Sequence, residues 1–218
     1  MKYKFDSVKD SITDIRKGKL VIVMDSKERE YEGDFIGAAT LVKPETINFL
    51  VTHARGAFIA VFMPYDRCNQ LNIPPMGTSN DSFNQTKFRL AVDTRTGTSG
   101  SSAIDRAKTV NQLANPQAKA EDFVRPGHVV PIEANPRGLL GRKGHTEAGV
   151  ELVRLAGIQP NVAVDLEILD DDGSMAHEKK LFELSKKFNL RIITVDQLFD
   201  YVSTENQVLT HPKEYIRS

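Results

Sequence analysis

The feature that most constrains this chain is the shortness and spacing of its apolar runs. Leu20–Met24 and Ala57–Met63 are five and seven residues long and are bounded by charged residues, Gly or Pro, the pattern of buried strands, and Val162–Ile168 reads as a further strand. Between such runs, apolar residues recur at helical spacing. Val8, Ile12 and Ile15 follow Asp6 or Ser7 as N-cap and stop at Gly18, and Ile47, Leu50, Val51 and Ala54 follow Pro44, with Gly56 placed to close the helix. The same reading predicts strands at 35–42, 88–93, 128–132 and 191–195, and helices at 103–113, 145–156, 178–188 and 196–201. A long irregular loop, rich in Asn, Ser, Thr, Pro and Gly, is expected from Asn72 to Thr86. Strands and helices alternate throughout, so the predicted class is α/β (α+β), a single domain with a mixed central sheet flanked by helices. No apolar run approaches the roughly 20 residues that span a bilayer.

Composition narrows the class of partner. With 40% apolar residues, 14 Gly and 10 Pro, the 218-residue chain has material for a sizeable core and little low-complexity sequence. One domain over 1–218 is expected, with a core from about 8 to 202 and a polar tail at 203–218. Basic and acidic residues balance at 29 each, which argues against nucleic acid or an anionic membrane as partner. The single cysteine, Cys68, forms no disulfide within the chain, and the start Met1-Lys2-Tyr3-Lys4-Phe5-Asp6 lacks a secretory apolar region, so a reducing, cytoplasmic compartment is expected.

Ionisable residues concentrate at three places beside buried elements. Asp25-Ser-Lys-Glu-Arg-Glu-Tyr-Glu-Gly-Asp34 carries seven charges in ten residues. It is either a solvated loop or a site where a divalent cation such as Mg²⁺ relieves repulsion among carboxylates. Gly141-Arg-Lys-Gly-His-Thr-Glu147 opens a helix with two cations and a hydroxyl, which is either an ordinary cap or a phosphate site. Arg125-Pro-Gly-His128 leads into a strand, and Glu167 sits near the end of another. A carboxylate there faces solvent or is held in a site that tunes its pKa.

Read in order, these motifs are more specific than any one of them. Glu28-Arg-Glu-Tyr-Glu-Gly-Asp34, Thr98-Ser-Gly-Ser-Ser-Ala-Ile-Asp-Arg106, Arg125-Pro-Gly-His-Val129, Gly144-His-Thr-Glu-Ala148 and Asp171-Asp-Gly-Ser-Met-Ala176 together resemble the successive motifs of 3,4-dihydroxy-2-butanone 4-phosphate synthases. The resemblance implies a carbon–carbon lyase of riboflavin biosynthesis that uses Mg²⁺ (or Mn²⁺), two ions per site. It takes D-ribulose 5-phosphate and releases formate. It also implies a homodimer with its active site near the interface. Carried over residue by residue, Glu30 and His145 are the metal ligands. Arg29, Glu30, Asp34 and the segment Arg142, Lys143, Gly144, His145 and Thr146 bind substrate, and Asp34, His128 and Glu167 match residues needed for the chemistry.

The chain departs from the pattern at Ser26, Lys27, Tyr31, Ile59, Arg89 and Lys143. Tyr31 stands where the family usually has Asn, and either reshapes the pocket or points away from it. Two other readings therefore stand beside the synthase: a diverged paralogue acting on another phosphorylated or polyhydroxylated compound, and a non-catalytic ligand-binding dimer. The chain ends soon after the last predicted helix, so a stand-alone protein without the GTP cyclohydrolase II domain often found behind this one is expected.

Overall fold

The computed structural model describes residues 3–210; residues 211–218 of the expected polar tail lie outside the described residues. Eight strands form one mixed sheet. Along the chain they are β1 (Val21–Met24), β2 (Gly33–Ala38), β3 (Ile59–Met63), β4 (Lys87–Phe88), β5 (Val92–Thr94), β6 (Phe123–Glu133), β7 (Ala163–Glu167) and β8 (Ile192–Thr194). Their order across the sheet is β4-β6-β3-β7-β2-β1-β8, with β5 paired to β6 beside this path. Pairing is parallel for β1 with β8 and β3 with β6, and antiparallel elsewhere.

Side chains alternate across this sheet and fill two cores. Ile22, Met24, Phe35, Ile59, Val61, Val164 and Leu166 point to one, with Ile47 and Leu50 of α2 (Pro44–His53), Val110 and Leu113 of α4 (Ala103–Leu113) and Leu181 of α6 (Glu178–Phe188). Val21, Val23, Ile36, Ala60, Phe62 and Ala163 point to the other, with Ile12 and Ile15 of α1 (Val8–Arg16), Leu152 of α5 (His145–Leu155) and Leu198 of α7 (Val195–Thr210). Most of these side chains are wholly buried, the larger ones (Val, Leu, Ile, Phe and Met) each contributing about 1.5–3 kcal/mol by the usual transfer scale. Two helical layers thus sandwich a sheet of short strands, as the sequence predicts. No helix among the described residues is long and apolar enough to cross a membrane.

Several boundaries differ from expectation for local reasons. Strand β2 starts at Gly33, two residues early, which puts Asp34 inside the sheet. Helix α7 runs to Thr210 instead of stopping at Tyr201, so part of the expected tail is helical. The predicted strand 88–93 is divided into β4 and β5, and β6 is more than twice its predicted length. The short helix α3 (Tyr65–Gln70) was not predicted; it buries Arg67 and Cys68. Gly56 does not end α2. Arg55 takes the left-handed turn (φ 68°), and Gly56 lets the chain pass against the Glu167 backbone, where a Cβ would collide with the carbonyl.

Candidate active site

The charged loop of residues 25–32 leaves β1 and returns into β2, and Asp25 organises it. The buried Asp25 carboxylate accepts from the Glu32 amide at 2.9 Å and the Glu30 amide at 3.3 Å, and pairs with the Arg29 guanidinium at 2.7 Å. Glu30 in turn pairs with Arg29, and Asn84 from the long loop donates to its Oε1. The loop is therefore a folded carboxylate cage, not a loose solvated run.

The first turn of α5 faces this cage. His145 is buried, and its Nδ1 lies 3.3 Å from Asp34 Oδ2 and 3.9 Å from Glu30 Oε2. Burial, with the nearby Arg29 and Arg142 cations, lowers its pKa to about 4 despite the pull of Asp25, so the ring is neutral and offers a lone pair. One ligand atom each from Asp25, Glu30 and His145 falls within 4.8 Å of the others. Two carboxylates and a neutral imidazole fit a divalent cation. The family resemblance implies Glu30 and His145 for this role; Asp25 joins them in space.

Behind the cage, the β2–β7 register places Asp34 opposite Glu167 and Ile36 opposite Asp165, so three acids share one face of the sheet. Burial is the main force raising the pKa of all three, with Asp165 and Glu167 adding to the rise at Asp34, and Glu167 to that at Asp165. Asp34 Oδ1 and Asp165 Oδ1 are buried and receive no hydrogen bond. Glu32 is pushed up to about 7, by burial first and then by Glu30 and Glu167. Asp165 was missed in the sequence. Its one signal is an acid two positions before Glu167, hence on the same strand face.

These groups line a cavity of about 80 Å³ walled by Phe58, Phe62 and Phe88. It shares Arg142 and Thr146 with an adjoining cleft of about 480 Å³. Arg142 is held by buried Glu147 at 2.8 Å and reaches Thr86 Oγ1 at 3.2 Å. Gly144 caps α5, and a Cβ there would collide with the Arg142 guanidinium. A helix start, a fixed cation and a hydroxyl thus converge where an anion binds well.

The remaining predicted residues lie elsewhere. Lys143 does not line either space; its ammonium sits 3.7 Å above the Phe199 ring and 3.5 Å from Asp196, both on α7. His128 also stands outside the cavity. Nδ1 of its half-exposed imidazole lies 2.7 Å from Oδ2 of buried Asp93, whose Oδ1 accepts from the His128 amide at 2.9 Å, beneath the turn at Gly100. Ile59 is buried on the opposite sheet face, and Arg89 is buried in a bond to the Ile73 carbonyl and a pair with Glu133. Cys68 is buried, and its thiol is pushed up to about 12, mainly by burial, which removes it as a nucleophile.

The profile of 3,4-dihydroxy-2-butanone 4-phosphate synthases matches residues 9–201. The chain belongs to this family. It is 47% identical over 202 residues to a riboflavin biosynthesis protein RibBA of Aquifex aeolicus, covering 91% of this chain and 49% of that one. RibBA of Cytophaga hutchinsonii is 44% identical, with 94% and 51% covered. The chain thus spans about half the length of the curated relatives it matches. Among solved structures, a 3,4-dihydroxy-2-butanone 4-phosphate synthase in complex with two magnesium ions superposes with TM-score 0.88 at 37% identity, covering 92% of this chain and 98% of that one. RibBX of A. baumannii, a two-domain synthase, gives 0.86 at 42% identity, with 90% and 57% covered.

Proposed function

We propose that this chain is a lyase converting D-ribulose 5-phosphate into 3,4-dihydroxy-2-butanone 4-phosphate and formate, the reaction behind its family's name. The observation that carries this is the convergence, in one cavity, of a cation-binding cage, buried acids and an anion-binding helix start. Glu30 and His145, with Asp25 beside them, would hold Mg²⁺ or Mn²⁺, and we propose two ions, the number in the related magnesium complex. A cation bound there supplies Lewis-acid polarisation of substrate oxygens.

The chain's own residues do the rest. Arg142, Thr146 and the amides that open α5 bind the phosphate. The larger cleft suits that end of the molecule, because the 80 Å³ cavity accommodates only the reacting carbons. Asp34 and Glu167 face those carbons and hold or move protons, while the three phenylalanines exclude water. Tyr31 does not line the cavity, so the departure that most suggested another substrate leaves the pocket chemistry unchanged.

His128 enters this reading through a second copy. An imidazole oriented by a buried carboxylate but open on its other side is built to act on something outside its own fold. We propose a homodimer in which the His128–Asp93 pair of one protomer completes the cavity of the other. Incubation with D-ribulose 5-phosphate, followed by NMR, is expected to give formate and the four-carbon phosphate only with Mg²⁺; a folded, Mg²⁺-binding protein that releases no formate would overturn the assignment.

A further inference from the structure

Tyr31 has a backbone φ of 57°, in the left-handed region. Asn reaches that region several-fold more readily than bulky residues do, which accounts for the family's usual choice. A phenol here therefore needs compensation, and the structure supplies it in three contacts from two residues. The Tyr31 ring stacks on His177 with centroids 4.7 Å apart and planes 24° from parallel. His177 Nδ1 donates to the Tyr31 carbonyl at 2.7 Å, which fixes the hydrogen on that nitrogen because a carbonyl only accepts. Lys27 Nζ lies 4.9 Å from the ring centroid.

His177 is the N-cap residue of α6, so these contacts tie the acidic loop to the helical layer on the far side of the sheet. Tyr31 packs against the core of that layer, while its neighbours Glu30 and Glu32 line the cavity on the other side.

We propose that Tyr31 and His177 form a latch that grips the loop from behind and positions Glu30 for the cation. Tyr31 is thus a positioning residue whose role is exerted through Glu30. This deepens the reading of the pocket as a cation site and rests on that reading in its second measurement only.

The first measurement is hydrogen–deuterium exchange of residues 25–34 without added metal. Tyr31→Ala and His177→Ala are each expected to speed it about five- to tenfold, since each removes the stacked pair and His177→Ala also removes the hydrogen bond to the Tyr31 carbonyl. The double variant should be little faster than His177→Ala alone, which already removes both contacts. Unchanged exchange in β1 and β7 shows that the fold persists, and Tyr31→Phe, which keeps the stack, should restore slow exchange. The second measurement is Mn²⁺ affinity by electron paramagnetic resonance, expected to weaken about five- to tenfold in both alanine variants and to recover in Tyr31→Phe. Wild-type exchange in both alanine variants refutes the latch. A loosened loop with unchanged Mn²⁺ affinity refutes the positioning role. If the unaltered protein binds no Mn²⁺ while the loop effect remains, the cation reading fails and the latch stands.

Discussion

The two clusters of family motifs in this chain are built on opposite plans. The cage of Asp25, Glu30, Asp34 and His145 is closed: its acids are buried or half-buried, its histidine is buried, and its internal bonds hold it together without substrate. The His128–Asp93 pair is open, with a buried carboxylate behind and a half-exposed imidazole in front. A closed cluster concentrates charge that needs a counter-ion. An open one needs a partner surface. The difference separates the residues whose loss should unsettle metal and fold from those whose loss should touch turnover alone.

The sharpest break comes in the cage. Glu30→Gln or His145→Ala is expected to lower Mg²⁺-dependent formate release by about a thousandfold or more, the scale of lost Lewis-acid stabilisation. A chelator added to the unaltered protein should have the same effect. Calorimetric titration with Mg²⁺ checks the cause, since both variants should lose the binding heat. Normal turnover in either would remove the metal assignment.

In the open pair, His128→Ala should cost about a hundred- to ten-thousandfold in turnover, the range for a lost acid–base group, with Mg²⁺ affinity and melting temperature unchanged. Mixing this variant with Glu30→Gln adds a second criterion. If His128 acts across an interface, subunit exchange regenerates one intact site per heterodimer and restores formate release. No recovery from a demonstrated heterodimer would confine His128 to its own protomer.

The sequence made the fold legible wherever side-chain period and burial coincide, as in β1, β3, α1 and α5. It failed where an element is stabilised by something other than an apolar face. Helix α3 carries a buried Arg67, which donates to the Leu113 carbonyl at 3.0 Å, and β6 is half-exposed along its first residues, so neither shows an apolar period. The site was legible as types of residue but not as geometry. Glu30 and His145 are far apart in the chain and meet only because β1–β2 and α5 share one face of the sheet. Asp165 looks like Glu167 in the sequence, and only the antiparallel register sets it next to Asp34.

That register gives the closed cluster a pH signature. Asp34, Asp165 and Glu32 all have raised pKa values, so the folded, metal-free protein retains protons that the unfolded chain has released. Their contribution is fully present below the unfolded carboxylate range near pH 4, and it is lost as pH rises, through about 7 for Glu32. His145, its pKa lowered to about 4, acts in the opposite sense below its ordinary value of 6.5, but the raised acids outnumber it, so the metal-free melting temperature is expected to fall by a few degrees between pH 5 and pH 8. Asp165→Asn should flatten that slope by removing one of the buried acids, and Mg²⁺ should raise the high-pH value. A melting temperature that climbs with pH in the unaltered metal-free protein would show the cluster to be better solvated than its burial implies.

The smallest expected effect tests whether a charge inside a family motif belongs to the closed cluster at all. Lys143 sits between Arg142 and Gly144, and position alone makes it a phosphate ligand. Its ammonium is instead engaged with Phe199 and Asp196 on α7. A cation turned outward contributes to the cavity only through long-range attraction, which solvent and salt screen. Lys143→Met keeps the aliphatic stem on the aromatic ring and removes the charge, so KM for the sugar phosphate should change by less than about twofold and kcat should not change. Arg142→Met, by contrast, should raise KM by about tenfold or more if, as proposed, the guanidinium holds the phosphate at the helix start. Equal effects from the two variants would mean that Lys143 swings into the cleft when substrate arrives, and the boundary of the closed cluster would have to be redrawn to include it.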